Sequence, residues 1–278
     1  FPSLKPNAYY QQPNFEVFQN SAVQKIFEPA SVSKPFTMAM AFQEHKITPQ
    51  TQFVDKGFIK IGPDTIYNFD HKNYGSVDMS GILEKSINTG AVFLSTLISG
   101  NTFLEYTNKF GFNNKTEIDL QGEVSSKNDN LKNGHQFEFA TASFGQGIEM
   151  TPMQMVSAFS LFANGGKIVK PYVVEKIVHN GETEVTKPSL QSVVSESTAS
   201  EVTKMMVNVV DRGFGNSAKV PGYYLAGKTG TAEVSLPNSK GYYSDRTIQS
   251  FIGFGPALKP QFLILVKLDN PKVPKSSL

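Results

Sequence analysis

The chain of 278 residues contains no cysteine, and that absence alone removes disulfides, thiolate nucleophiles and cysteine-ligated metals. Any nucleophile must therefore be an oxygen or an amine. Histidine is scarce as well: His45, His71, His135 and His179 lie far apart, and none falls in a metal-binding helical spacing. Surface or satisfied histidines are the simpler reading, so no metal site is expected. A Ser-His-Asp triad is compatible with any spacing, but nothing in the chain points to one. Charge of one sign is also missing. A net charge of +2 with scattered basic residues gives no footprint for nucleic acid or a membrane surface. Long apolar runs are lacking too, the longest being Ala91 to Ile98 and Phe262 to Val266, so neither a membrane span nor a signal peptide is read and the chain is expected to be soluble. There is no low-complexity tract. With 39% hydrophobic and 18% charged residues, the composition is that of a globular protein, either one large domain or a core with a smaller lobe.

What is present starts at Ser31-Val32-Ser33-Lys34. On a helix, residues three apart share a face, so the Ser31 hydroxyl and the Lys34 amine can meet. A serine is a weak nucleophile at neutral pH, and an amine activates it only when that amine is itself neutral. Burial makes lysine neutral. The apolar run Phe36, Met38, Ala39, Met40, Ala41 and Phe42 reads as a helix buried on most sides, which supplies that burial. Pro35 requires regular helical bonding to begin close to Lys34. Taken alone, Ser-x-x-Lys is weak, and Ser31 reads equally well as a helix cap with Lys34 a solvated charge.

Along the chain, residues 1 to 27, punctuated by Pro2, Pro6 and Pro13, read as an extended, irregular approach. Thr48 to Asp78 reads as a flap of short strands. Met79 to Gly100 is helical with a break at Ser86-Ile87-Asn88-Thr89-Gly90, which can project Ser86 and Asn88 into a cleft between two buried helices. Ser-x-Asn recurs at Ser99 and Ser126, but only Ser86 sits between buried segments. Asn101 reads as the cap of a helix ending at Phe110-Gly111. Ser143 to Gly147 is a glycine-rich turn, and Thr151-Pro152-Met153-Gln154 opens a helix with a capping box that stops at Asn164-Gly165-Gly166. Ile168 to Val185 reads as a hairpin around Asn180-Gly181, followed by a helix carrying Ala199, Val202, Met205, Met206 and Val209. Tyr223 to Val234, Thr247 to Phe254 and Gln261 to Leu268 read as three strands, antiparallel because their links are short. The first carries Lys228-Thr229-Gly230-Thr231. Glycine there marks a close approach by ligand or backbone, and Lys228 and Thr229 offer a cation and hydroxyls to an anion. A solvated edge strand is the plainer alternative.

Together, Ser31-x-x-Lys34, Ser86-x-Asn88 and Lys228-Thr229-Gly230 occur in the order and rough spacing of the penicillin-binding proteins and serine β-lactamases. The chain most resembles the class B penicillin-binding proteins. Tyr9 to Phe42, Gly111 to Glu123, Phe144-Gly145-Gln146-Gly147-Ile148 with Thr151-Pro152, and Ala226 to Pro271 carry the likeness. The resemblance implies an α/β (α+β) fold in which an antiparallel five-stranded sheet is flanked by helices, with a helical lobe beside it and the site between. It also implies one transpeptidase domain over 1–278, truncated at both ends: the first two strands, the C-terminal helix and the membrane anchor are missing from this stretch.

By the same resemblance, Ser31 attacks the penultimate D-Ala carbonyl of a stem peptide and Lys34 takes its proton. Ser86 relays a proton to the leaving amine, and Asn88 holds Lys34 and the substrate amide. Lys228, Thr229 and Thr231 bind the terminal carboxylate of the peptide or of a β-lactam, with Gly230 between them. Backbone N–H groups of Ser31 and Thr231 form the oxyanion hole. The implied activity is peptidoglycan D,D-transpeptidation without a cofactor, outside the cytoplasmic membrane, alongside division or elongation proteins. A β-lactamase fits less well, because the Glu-x-x-Leu-Asn of class A is missing and Asn88 replaces the Val of class D. A D,D-carboxypeptidase and a penicillin-sensing module remain as alternatives.

Overall fold

The computed structural model describes residues 6–11, 15–236 and 241–272. Among the described residues, the approach to the nucleophile segment is extended only in part, around Lys25 and at Phe27, which bridges Met150. It makes 3-10 turns at Pro6–Gln11 and Phe15–Phe18 and one helical turn, α1, at Ser21–Gln24. Local bonding explains the difference: the Asn20 side chain accepts from the Ala22 amide at 3.1 Å and closes α1. Pro2 and Pro13 lie outside the described residues.

A single 3-10 turn, Ala30–Ser33, leads into α2, Lys34–Gln43, with Pro35 in its first turn as its missing N–H requires. Every residue from Val32 to Phe42 is buried. Phe36 fixes this helix, its ring lying 5.1 Å from Phe110 and Phe112, 5.4 Å from Phe162 and 5.9 Å from Phe159. The flap follows as β1 (Gln52–Asp55), β2 (Phe58–Ile61), β3 (Asp64–Tyr67) and β4 (Gly75–Asp78). β1 pairs with β4 and β2 with β3, both antiparallel.

The helical lobe comprises α3 (Met79–Glu84), α4 (Asn88–Thr96), α5 (Gly100–Lys109) and α6 (Gln136–Ala142). The break between α3 and α4 is Lys85 to Ile87, so Ser86 lies in it as expected, while Asn88, Thr89 and Gly90 already form the first turn of α4. Asn101 is not the cap of α5: Ser99 is, because its hydroxyl reaches the Thr102 amide at 3.1 Å while Asn101 sits exposed in the first turn. α7 (Pro152–Ala163) opens with the capping box of Thr151 and Gln154, and the Gln154 amide also donates to three carbonyls after α5.

β5 (Lys167–Val169) does not join the hairpin of β6 (Lys176–His179) and β7 (Glu182–Val185). It pairs with β8 (Leu190–Ser192). That hairpin does turn at Asn180-Gly181, both with positive φ. α8 (Glu196–Arg212) packs against the antiparallel sheet of β9 (Ala226–Ser235), β10 (Tyr242–Gly255) and β11 (Phe262–Asp269), in the order β11-β10-β9. Against the five strands implied by the resemblance, this sheet has three among the described residues. Leu263 and Leu265 pack on the core, whereas Phe262, Ile264, Val266 and Leu268 are half exposed on the other face.

Candidate active site

Ser31 sits in a strained turn that its neighbours hold in place. Ala30 has φ 49°, a left-handed conformation costing an ordinary residue about 1 kcal/mol. Its N–H donates to the Gly145 carbonyl at 3.0 Å, and its carbonyl accepts from the Ser33 hydroxyl at 2.7 Å. Gly145 can be nothing larger, since a Cβ there would stand 2.1 Å from the Ala30 oxygen and its φ is +83°. The glycine-rich turn Ser143 to Gly147 is thus the seat of the nucleophile segment. On the opposite side β9 lies against the same turn: a Cβ on Gly230 would be 3.0 Å from the Pro29 carbonyl and 2.6 Å from the Ser250 hydroxyl. The close approach at Gly230 is therefore to the Ser250 hydroxyl, the Pro29 carbonyl and the Val32 side chain.

The first two motifs meet at one nitrogen. Lys34 Nζ lies 2.5 Å from the Ser86 carbonyl, 2.7 Å from Asn88 Oδ1, 3.0 Å from Ser31 Oγ and 3.2 Å from Ser86 Oγ. The third motif joins through Ser86, whose Oγ is 2.9 Å from Lys228 Nζ; that amine is also 3.1 Å from the Thr229 carbonyl and 3.3 Å from its hydroxyl. Ser31, Ser86, Asn88, Thr229 and Thr231 are partly exposed, while Lys34 and Lys228 are buried beneath them at 1% and 0% exposure. Ser31 is accordingly not a helix cap, and Lys34 is not a solvated charge.

Burial drives the Lys34 amine well below its ordinary proton affinity, and the nearby Lys228 cation lowers it further. Burial brings Lys228 down to about 7. The hydrogen-bond count around Lys34 agrees with a neutral amine. Its two shortest contacts are carbonyl oxygens, which only accept, so they take both N–H groups and leave the lone pair for a hydroxyl. Ser31 Oγ is placed to give its proton to that lone pair. Ser86 itself has φ 53°, so its hydroxyl is held between the two amines by a strained backbone.

Two groups beside the site carried no sequence signal. Glu28, three residues before Ser31, accepts from the Gly147 amide at 3.3 Å and from the Tyr242 hydroxyl at 3.2 Å. Burial first, then the charges of Glu149 and Glu233, raises its carboxyl to about 7 against those bonds. Asp55, Asn68 and Thr89 form a buried cluster behind Asn88. The four histidines are exposed.

The model of the penicillin-binding protein transpeptidase domain matches residues 1–277. The chain belongs to that family, in its class B branch. Stage V sporulation protein D of Bacillus subtilis is 34% identical over 98% of the chain and 42% of its own length. A peptidoglycan D,D-transpeptidase FtsI homolog of Mesostigma viride is 30% identical over 99% of the chain and 50% of its own length. Penicillin-binding protein 3 of Mycobacterium tuberculosis, solved in complex with aztreonam, superposes with a TM-score of 0.83 at 30% identity, covering 91% of this chain and 58% of that one. The chain thus spans about half the length of the curated relatives it matches. The family fold is the α/β arrangement expected, with helices packed on an antiparallel sheet. Among the described residues no helix is long and apolar enough to cross a membrane.

Proposed function

We propose that residues 1–278 form the acyl-transfer domain of a peptidoglycan D,D-transpeptidase, with Ser31 the nucleophile and Lys34 its base. The observation that carries this reading is the unbroken chain of contacts Ser31–Lys34–Ser86–Lys228, with a buried amine of lowered proton affinity next to the nucleophile. Ser31 Oγ bonds to the carbonyl carbon of the penultimate D-Ala while its proton passes to Lys34 Nζ. The tetrahedral oxyanion is held by the backbone N–H groups of Ser31 and Thr231. It collapses as the C–N bond breaks, and the terminal D-Ala leaves with a proton delivered through Ser86 Oγ. An amine from a second stem peptide then attacks the ester, forming the cross-link and returning the proton to Ser31.

Asn88 orients Lys34 and the substrate amide, and Lys228 with Thr229 and Thr231 receives the terminal carboxylate. Gly230 lets β9 run close to the nucleophile turn. β-Lactams enter by the same acylation, which the aztreonam complex of the M. tuberculosis relative supports. The parent works outside the cytoplasmic membrane with division or elongation proteins. The names of two relatives, Stage V sporulation protein D and a peptidoglycan D,D-transpeptidase FtsI homolog, support a cell-wall role.

Incubation with a fluorescent penicillin, read by intact mass and peptide mapping, should place a long-lived adduct on Ser31 and none on Ser31→Ala. A folded chain that takes no adduct overturns the assignment. Release of D-Ala from a stem-peptide substrate, with and without an amine acceptor, separates transfer from hydrolysis. The carboxylate pocket adds a pH expectation. Lys228 is cationic below about 7 and neutral above it, so the apparent affinity for a penicillin should be higher one pH unit below that value than one unit above. Equal affinities on both sides would remove Lys228 from carboxylate binding.

A further inference from the structure

α4 begins at Asn88, and the residue in its cap position, Ile87, has no side-chain acceptor to offer. The first-turn amides of a helix need acceptors from somewhere. Here one comes from the flap. The Thr89 amide donates to Asn68 Oδ1 at 3.2 Å, and the Thr89 hydroxyl donates to Asp55 Oδ1 at 2.6 Å. Asn68 is itself held, its side-chain amide donating to Asp55 Oδ2 at 2.8 Å and to the Lys72 carbonyl at 3.0 Å. Asp55 further accepts from the amides of Gly57 and Tyr74, both at 2.9 Å. The Asn88 side chain adds a parallel tie, donating to the Tyr67 carbonyl at 3.1 Å.

Asp55, Asn68 and Thr89 are 1%, 2% and 0% exposed. No cation lies within ion-pairing distance of Asp55 among the described residues. Burying a carboxylate with no counter-ion is expensive, and apolar side chains would fill the space at lower cost. What the carboxylate supplies is direction. Four donors from four segments converge on two oxygens, and a negative charge faces the start of α4, where the helix dipole favours it. Thr89 is bonded to Asn88, whose Oδ1 is 2.7 Å from Lys34 Nζ, so a shift at Thr89 moves the acceptor that orients the amine.

We propose that Asp55 and Asn68 are positioning residues for acylation: acting through Thr89, they cap α4 from the flap and keep Asn88 and the Ser86 carbonyl on Lys34. The inference rests on the reading of Ser31 and Lys34 given above.

The test isolates one hydroxyl. Thr89→Val keeps the shape and removes the bond to Asp55, whereas Thr89→Ser keeps the bond and loses a methyl group. Acylation of the chain by a fluorescent penicillin is resolved into initial binding and the covalent step. Thr89→Val should slow the covalent step by about tenfold or more, with initial binding unchanged, as expected when reacting groups lose alignment. Thr89→Ser should recover most of that loss. If Thr89→Val does not fold, Thr89→Ala is compared with Thr89→Ser in its place. A covalent step at the wild-type rate in a folded variant lacking the hydroxyl overturns the proposal, even if its melting temperature falls. So does an equal loss in Thr89→Ser. Wild-type protein that takes no adduct on Ser31 fails the underlying reading instead, so the two failures are distinguishable.

Discussion

Two hairpins of this molecule are alike in local construction and opposite in use. β2–β3 and β6–β7 each pair two four-residue strands. Each is closed at its base by one backbone bond, from the Asn68 amide to the Gly57 carbonyl at 3.1 Å and from the Thr186 amide to the Glu175 carbonyl at 2.9 Å. Yet β2–β3 buries Ile61 and Ile66 against Ala91, Val92, Ala140 and Phe144, and its base runs into the polar cluster behind Asn88. In β6–β7 every residue is exposed, with Ile177 at 57% and Val178 at 63%. Strand-forming residues and a turn signal make a hairpin in both places. Whether the hairpin matters to the site depends on what its base touches.

The sharpest way to break the contrast is to excise each hairpin and close the chain across its base. Removing residues 58–67 takes away two buried isoleucines and the carbonyl that holds Asn88, so stability should fall by about 3 kcal/mol or more and Ser31 acylation with it. Removing residues 176–185 should leave acylation unchanged and shift stability by about 1 kcal/mol or less. Denaturant melts and penicillin labelling of both deletions decide the matter; similar damage from the two would show that the contrast carries no functional weight. A single substitution tests the same point at smaller scale. Asp55→Ala strands four donors in the interior and should cost about 3 kcal/mol in a chemical melt, with the flap loosening first in amide exchange. Protection that is lost evenly across the chain would argue against a local role.

The same contrast explains what could be read from the sequence. Features made by neighbours in sequence were legible. Ser31 and Lys34 stand one turn apart, Thr151 and Gln154 form a capping box, and Asn180-Gly181 makes its turn. Lys228 and Thr229 alternate along a strand whose sheet brings only one of them inward. Features made by distant segments were not. Asp55 meets Thr89 across 34 residues and Asn68 across 13, and at each position a polar residue beside a short strand reads as solvated until the partner is known. β5 finds β8 rather than its neighbour because a whole hairpin loops out between them. The Asn101 expectation failed for a smaller reason: two polar residues on either side of Gly100 compete to cap α5, and only the Ser99 hydroxyl reaches an open amide. Family resemblance supplied what spacing could not, bringing three separated motifs to one cleft.

A third hairpin gives the smallest of the expected effects and the most specific. β9–β10 is tied to the nucleophile segment by the Tyr242 hydroxyl on Glu28, a group that titrates near neutrality. In the folded chain the Glu28 carboxyl holds its proton up to about 7, above its ordinary value of 4.5. The native state therefore binds a proton that the unfolded chain has already lost, and stability falls as pH rises between those two values. Because Glu28 is partly exposed, that loss should be on the order of 1 kcal/mol rather than the full amount implied by the shift. Glu28→Gln keeps the size and a hydrogen-bonding tip and cannot ionise. The variant should match the wild type at the acid end of the window and exceed it at the neutral end. Melting temperatures at both ends measure the difference, and parallel pH dependences in the two proteins would mean that the Glu28 tie does not respond to pH.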